Sequence, residues 1–564
     1  MERWKWFCWS RGMAPRANSF EPEPYSLPCP MPDWPQGGEF AKGTICIGEL
    51  EVVQITRFER IWGCLSSKEK GNGAIFYKPS SIPEGFFSLG HFCHRCDQPL
   101  HGFVLVVREN AATKHSTGLP ALVEPVDYAI IWSSNDFSDD YDRGCSYFWL
   151  PIPPEGYRAL GIFVTSGPDK PSIEEVRCVR VDLTDSSEAH ELMIDLEAIF
   201  PHLPCQVWKM RPSSRGLWGT GVSVGTFCCN TDLSSRDKLS VHCLKNLDSS
   251  LNGMPNLEQI HALIQHYGPT LMFHPKEVYL PSSVSWFFEN GATLHKKGAK
   301  AGEIIDVKGS NLPLGGQNDG EYWIDLPDDD DNKDSFIKKG NIETAELYVH
   351  VKPAMGGTFT DISMWIFCPF NGPATIKVGA ANFSLSKVGQ HVGDWEHYTL
   401  RISNFNGELW SIYFSQHSGG EWVDAPGLEF IGGNKAVVYS SKSGHASFPH
   451  QGNYLQGSEK LGIGIRNDAA RSKFFVDSST RYQIVAAEYL GDVEEPFWLQ
   501  YMRGWGPSIK YNSRSEIDRI LSFLPFSIRN AVKNIFNSLP MELYGEEGPT
   551  GPKEKNNWVG DERW

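Results

Sequence analysis

One motif occurs twice in this chain and limits what it can fold into. Phe76-Tyr77-Lys78-Pro79-Ser80-Ser81-Ile82-Pro83-Glu84-Gly85-Phe86-Phe87-Ser88-Leu89-Gly90 matches Phe148-Trp149-Leu150-Pro151-Ile152-Pro153-Pro154-Glu155-Gly156-Tyr157-Arg158-Ala159-Leu160-Gly161. Each copy reads aromatic pair, Pro, Pro-Glu-Gly-aromatic, Leu-Gly. Each is followed by a strand pattern, Phe103 to Val107 and Val176 to Val181. A degraded third copy runs from Val207-Trp208 to Gly225-Thr226-Phe227. A period of roughly 60–70 residues is long for a solenoid but suits three sheets around one axis. The glycines serve turns and the aromatics fill a shared core.

The rest of the chain supports a mainly β reading. At 564 residues it is too long for one core. Its 19 Trp and its abundant Gly and Pro favour short strands and turns. Residues 1–40 are irregular and Pro-rich. From Gly43 apolar residues alternate, and residues 41–245 are expected to form a three-fold, β-prism-like domain. Residues 246–270 read as a helical connector: Asn256 caps a helix with Leu257, Ile260, Leu263 and Ile264 on one face, closed by Gly268. Strand patterning resumes over 271–510, expected as a β-sandwich. Residues 511–564 read as C-terminal helices and a tail, opened by a capping box at Ser513 and Glu516. Asp328-Asp329-Asp330-Asp331 reads as a solvated loop, since a calcium loop needs a glycine turn and spaced ligands.

Composition excludes some functions. The formal charge of −16 argues against a nucleic-acid binder, which needs a basic face for phosphates. No stretch approaches the apolar length of a transmembrane helix. The N-terminus lacks the apolar core of a secretory signal. Thirteen Cys without a framework fit free thiols in a reducing compartment, so a cytoplasmic location, peripheral on endomembranes, is expected. Cys93 and Cys96 sit among His91, His94 and His101, but no second pair at zinc-knuckle spacing follows. Gly221-Val222-Ser223-Val224-Gly225 has the letters of a nucleophile elbow, yet Thr226-Phe227-Cys228-Cys229 reads as strand where a helix is required.

The segment Gln390-His391-Val392-Gly393-Asp394-Trp395-Glu396 carries the chemistry. Asp394 and Glu396 are two apart on a strand, so both carboxylates share a face, with Trp395 and His397 on the other. His391 would face the wrong way in a regular strand, but Gly393 lets the backbone turn. Two adjacent carboxylates repel unless a cation or proton lies between them. Oxygen and nitrogen donors together suit a divalent cation, Mg²⁺, Ca²⁺ or Mn²⁺, and also fit zinc. The same carboxylates equally serve backbone N–H groups or pair with Arg. His397, His445 and His450 each read as core, cross-strand or surface histidines.

The repeat resembles the β-prism modules of multivesicular-body-associated proteins. The whole chain is similar to plant members of the vacuolar protein sorting-associated protein 62 family. That resemblance takes in Trp34-Pro35-Gln36-Gly37 and Asn557-Trp558-Val559-Gly560-Asp561-Glu562-Arg563. The segment at 390–396 resembles the Gly-His-Arg-His-Asp-Trp-Glu heptapeptide of the necrosis- and ethylene-inducing-like proteins, which are β-sandwich cytolysins. That likeness assigns metal binding to His391, Asp394 and Glu396, with Val392 and Gly393 departing from the pattern. Met364 to Asn371, His417 to Trp422, Val437 to Ala446 and Gly504-Trp505-Gly506 follow in matching order. Asn371 stands where that family has a ligand Asp, so it offers a carbonyl oxygen without charge. These resemblances imply a non-enzymatic peripheral membrane or adaptor protein of vacuolar and endomembrane sorting. It would have a cation-assisted recognition site, and lipid or glycolipid headgroups and trafficking proteins as partners. A glycolipid- or carbohydrate-binding cytolysin-like protein is the alternative, and a metal-dependent hydrolase the next.

Overall fold

The strand Gly73–Pro79 carries the first copy of the repeated motif and Tyr147–Ile152 the second. Each is the middle strand of a three-stranded antiparallel sheet. The first lies between Phe58–Leu65 and Phe92–Arg95, the second between Asp127–Ser133 and Phe163–Thr165. The degraded third copy takes the same form: Gln206–Pro212 pairs with Thr184–Asp195 on one side and Phe227–Asn230 on the other. A second strand triplet also recurs. Val104–Glu109 pairs with Leu50–Ile55 and Phe87–Ser88, Cys178–Arg180 with Leu122–Val123 and Tyr157–Arg158, and Val241–Lys245 with Thr184–Asp195 and Gly221–Val222. The computed structural model describes residues 22–65, 73–113, 118–134, 145–231, 241–327, 331–385, 388–417, 419–508 and 548–562, with isolated positions between 509 and 547. The Asp328–Asp330 run and the helices expected from residue 511 lie outside the described residues.

The three units meet through the motif's own residues. The rings of Phe76, Phe148 and Phe227 stand 4.9, 5.3 and 5.9 Å apart pairwise, within a core shared by Trp62, Trp132 and Val207. At the Leu-Gly step the units approach too closely for a side chain: a Cβ on Gly90 would lie 2.8 Å from Gly161 Cα. The motif's glycine is therefore a packing requirement as well as a turn residue. Ser223 is buried in the third unit beside the short strand Gly221–Val222, and no helix follows it. Cys93 and Cys96, three apart on or beside one strand, point into two different apolar clusters and do not converge.

The second β region is built on a six-stranded sheet. Its order is Gly419–Asp424, Leu409–Gln416, His391–Ser403, Phe359–Asn371, Leu347–Ala354 and Tyr482–Ala486, with the last pair parallel. Every residue of Phe359–Asn371 is buried, because both faces of the sheet are covered. One face, with Met364, Ile366, Tyr398 and Leu400, packs against a four-stranded sheet that contributes Leu271, Phe273, Val438 and Val476. The helix Leu257–Tyr267 covers the same face, closed by the Asn256–Gln259 capping box. The other face, with Trp365, Phe367 and Trp395, packs on the helix Val284–Glu289 and on Trp498, Trp505 and Trp558. The two β regions share a core in which Val222, Val224 and Leu244 meet Phe359, Phe405 and Trp410.

Residues 548–562 form a tail along this assembly, with a 3₁₀ turn at Pro552–Glu554 and a short helix at Asn556–Val559. Trp558 stacks on His350, with ring centroids 4.0 Å apart. Lys352 Nζ donates to the carbonyls of Asn557 and Gly560. Asp561 receives Arg215 of the third repeat unit at 2.8 Å and Arg401 of the central sheet at 3.5 Å. Glu562, 2% exposed, accepts from His397 Nε2 at 3.0 Å and Thr399 Oγ1 at 2.6 Å. No helix among the described residues is long and apolar enough to cross a membrane.

Candidate functional site

The strand His391–Ser403 is paired along its whole length with Phe359–Asn371, from Asn371 opposite His391 to Phe359 opposite Ser403. On its other side it pairs with Leu409–Gln416 only from Tyr398 onward. The half His391–His397 thus leaves a wedge in the sheet. A cavity of about 410 Å³ fills it, bounded by the turn at His417, by Ile465–Asn467, by the loop holding Lys442 and Gly444, and by the tail at Gly548–Thr550 and Glu554–Asn557. A cavity at a strand edge sees both faces of that strand, so Glu396 and His397 both line it.

His391, Asp394, Glu396 and Asn371, the four residues expected from sequence, all line this cavity. Gly393 takes φ +68°, and a Cβ there would meet the Trp505 carbonyl oxygen at 2.1 Å. It therefore both turns the backbone and admits the neighbouring chain. Asp394 Oδ1 lies 3.9 Å from His391 Nε2, too far for a hydrogen bond. Two ligands each about 2.0–2.3 Å from one ion lie roughly 3–4 Å apart, so this gap suits a shared divalent cation. Asn371 Nδ2 donates to the Gly389 carbonyl, which leaves its buried Oδ1 without a protein partner. An orphaned amide oxygen beside a carboxylate and an imidazole is a donor set that Ca²⁺, Mg²⁺ or Mn²⁺ accepts.

Sequence reasoning passed over the residue that holds Asp394. His445 Nδ1 donates to Asp394 Oδ2 at 2.8 Å, and its Nε2 donates to the Tyr279 carbonyl at 2.8 Å. A carbonyl only accepts and an ionised carboxylate only accepts, so this ring is an imidazolium. Burial works against that charge, but Cys368, the Asp394 hydrogen bond and the Glu277 charge outweigh it, and the His445 pKa is raised. Asp394 is correspondingly held below the usual carboxylate range: burial opposes its charge, and the hydrogen bond and charge of His445 overcome it. Burial pushes the His391 pKa down, which disfavours the protonated ring and suits coordination. Burial pushes the Cys368 thiol up to about 11. Cys368, Asp394 and His445 form the one tight cluster of metal-ligating atoms among the described residues, all within 4.8 Å. Its imidazole is already committed on both nitrogens, so it orients Asp394 and leaves Oδ1 for the cavity. No spacing rule links His445 to Asp394 across 51 positions.

Comparison with known proteins adds the following. A family model described as vacuolar protein sorting-associated protein 62 matches residues 21–562. The Saccharomyces cerevisiae Vacuolar protein sorting-associated protein 62 is 25% identical over 352 residues, 52% of this chain and 73% of that one. Among solved structures, GNIP1Aa from Chromobacterium piscinae is 16% identical with a TM-score of 0.26; the match covers 38% of this chain and only 40% of that one. Necrosis and Ethylene inducing Protein 2, from the causal agent of cocoa's Witches Broom disease, is 15% identical with a TM-score of 0.17, over 45% of this chain and 97% of that one. Because the family model spans nearly its whole length, the chain belongs to the vacuolar protein sorting-associated protein 62 family.

Proposed function

We propose that this protein acts without catalysis, as a peripheral membrane or adaptor protein of endomembrane and vacuolar protein sorting. In this reading the wedge cavity recognises a polar headgroup with the help of a divalent cation. The observation that carries it is the convergence of His391, Asp394, Glu396 and Asn371 on one cavity, with Asp394 fixed by an imidazolium behind it. His391 and Asp394 would hold the cation, with Asn371 offering a neutral amide oxygen. This set would leave coordination positions for hydroxyl or phosphoryl oxygens of the ligand. Family membership supports a sorting role, through the name the family carries.

Liposome co-sedimentation with and without a chelator tests this reading. Binding to glycosylated or anionic lipid should fall on chelation and in an Asp394→Ala/Glu396→Ala variant. Binding that survives both but disappears when residues 41–245 are removed from the assay by competition with that fragment places the membrane contact on the repeat region. No lipid binding, with turnover of a simple ester, makes the chain an enzyme and ends the proposal.

A further inference from the structure

Beside the wedge lies a second cavity of about 540 Å³, and Lys442 and Arg466 line both. The second cavity collects Lys276, Lys442, Arg466 and His274 around one carboxylate, Asp468, in a chain of net charge −16. That carboxylate is taken: Arg466 Nε donates to Asp468 Oδ1 at 2.6 Å, and Arg466 Nη2 donates to Asn453 Oδ1 at 3.1 Å. Among the described residues neither Lys276 nor Lys442 has an ion-pair partner. His274 Nδ1 accepts the Lys276 backbone N–H at 3.1 Å, so the ring's proton is on Nε2 and a further donor is available.

The two lysines are held together by design of the backbone. Glu277 joins their loops: its Oε1 accepts from Val278 and Tyr279 N–H, and its Oε2 accepts from Ser443 N–H at 2.6 Å. The His445–Tyr279 bond is a second staple, and Lys442 N–H donates to the Asp468 carbonyl at 2.8 Å. Ser443 and His445 sit at φ +69° and +51°, a left-handed backbone that β-carbon-bearing residues avoid. A loop fixed in a disfavoured conformation thus sends His445 inward to Asp394 and brings Lys442 to the wall shared by both cavities. Like charges gathered this way repel until an anion sits between them.

We propose that this second cavity is an anion subsite for a phosphate group, with Lys276 and Lys442 as its charged donors and Arg466 and His274 completing it. It adjoins the wedge cavity but does not depend on the cation reading. Phosphate fits better than carboxylate because separate donors on several loops match its several equivalent oxygens. A lipid phosphomonoester and free inorganic phosphate share this chemistry.

The test uses the full chain. Inorganic phosphate is titrated calorimetrically at low salt with chloride as the control anion, against the wild type, Lys442→Ala, Lys276→Ala/Lys442→Ala, Lys442→Arg and Asp394→Ala. Saturable phosphate binding should weaken about tenfold in Lys442→Ala, disappear in the double variant, persist in Lys442→Arg and fade as sodium chloride is added. Asp394→Ala should keep phosphate binding even if it loses divalent-cation binding, which separates failure of one reading from failure of the other. Pelleting with phosphatidic acid vesicles, reversed by inorganic phosphate, identifies the lipid source; phosphate binding without pelleting identifies the soluble one. Absence of saturable binding, or equal binding by the double variant at an unchanged melting temperature, overturns the proposal.

Discussion

The two β regions solve the problem of a buried core by different means. The repeat region closes on itself with apolar residues supplied three times over, such as Phe76, Phe148 and Phe227. The repeat region also buries the Arg180–Glu49 pair at 2.9 Å, but the six-stranded sheet buries a larger set of charges. Asp361 pairs with Arg401 through two bonds of 2.8 Å, Lys352 is 1% exposed, and Glu562 meets His397 inside the assembly. An apolar core tolerates its neighbours' chemistry, while buried charges need each partner in place. The wedge cavity and the lysine-lined cavity beside it lie in the second region, where the sheet is left incomplete. The difference separates a scaffold from a site.

The comparison breaks most readily at the tail. Deleting residues 548–562 removes Trp558 from the core, strips Lys352 and His397 of their tail partners and costs Arg401 its contact with Asp561; a loss on the order of 6 kcal/mol or more is expected. Denaturant unfolding should then show the six-stranded region melting early while the repeat region keeps its own transition. Conversely, Phe148→Ala should cost about 4 kcal/mol, register first in the repeat region and leave cation binding intact.

A pH titration sharpens the contrast. Burial raises the Glu562 carboxyl, but the charge and hydrogen bond of His397, with Lys352 and Thr399, overcome it and lower the pKa to about 2. A depressed carboxylate stabilises fully above its unfolded value near 4.5 and loses that contribution as pH falls towards 2. About 3 kcal/mol should therefore vanish over that window, and Glu562→Gln should flatten the slope. The smallest effect belongs to the surface of the repeat region. Lys78→Ala breaks the exposed 2.9 Å pair with Glu175 and should change stability by less than about 0.5 kcal/mol.

Much of the scaffold was legible in the sequence because its signals are local and repeated. The Leu-Gly steps at Leu89-Gly90 and Leu160-Gly161, the alternation along Leu50–Ile55 and the Asn256 cap each report on their own few residues. The candidate site was half legible. His391, Asp394 and Glu396 stand within six positions, and Gly393 betrays the turn that brings them together. The rest was hidden for a physical reason. His445, Glu277 and Glu562 reach their partners only through tertiary packing, and polar residues in loops and tails read as solvent-facing. Asp361 and Arg401 likewise alternate like surface residues, and only the cover on both faces of the sheet buries them.

The tail has a further consequence for how the chain comes into being. Glu562 meets His397 across 165 positions, so the ribosome completes the six-stranded sheet long before the carboxylate that neutralises its interior exists. The repeat region lies N-terminal to the sheet and emerges first. Until residues 548–562 are made, Lys352 and His397 lack the partners that the tail supplies.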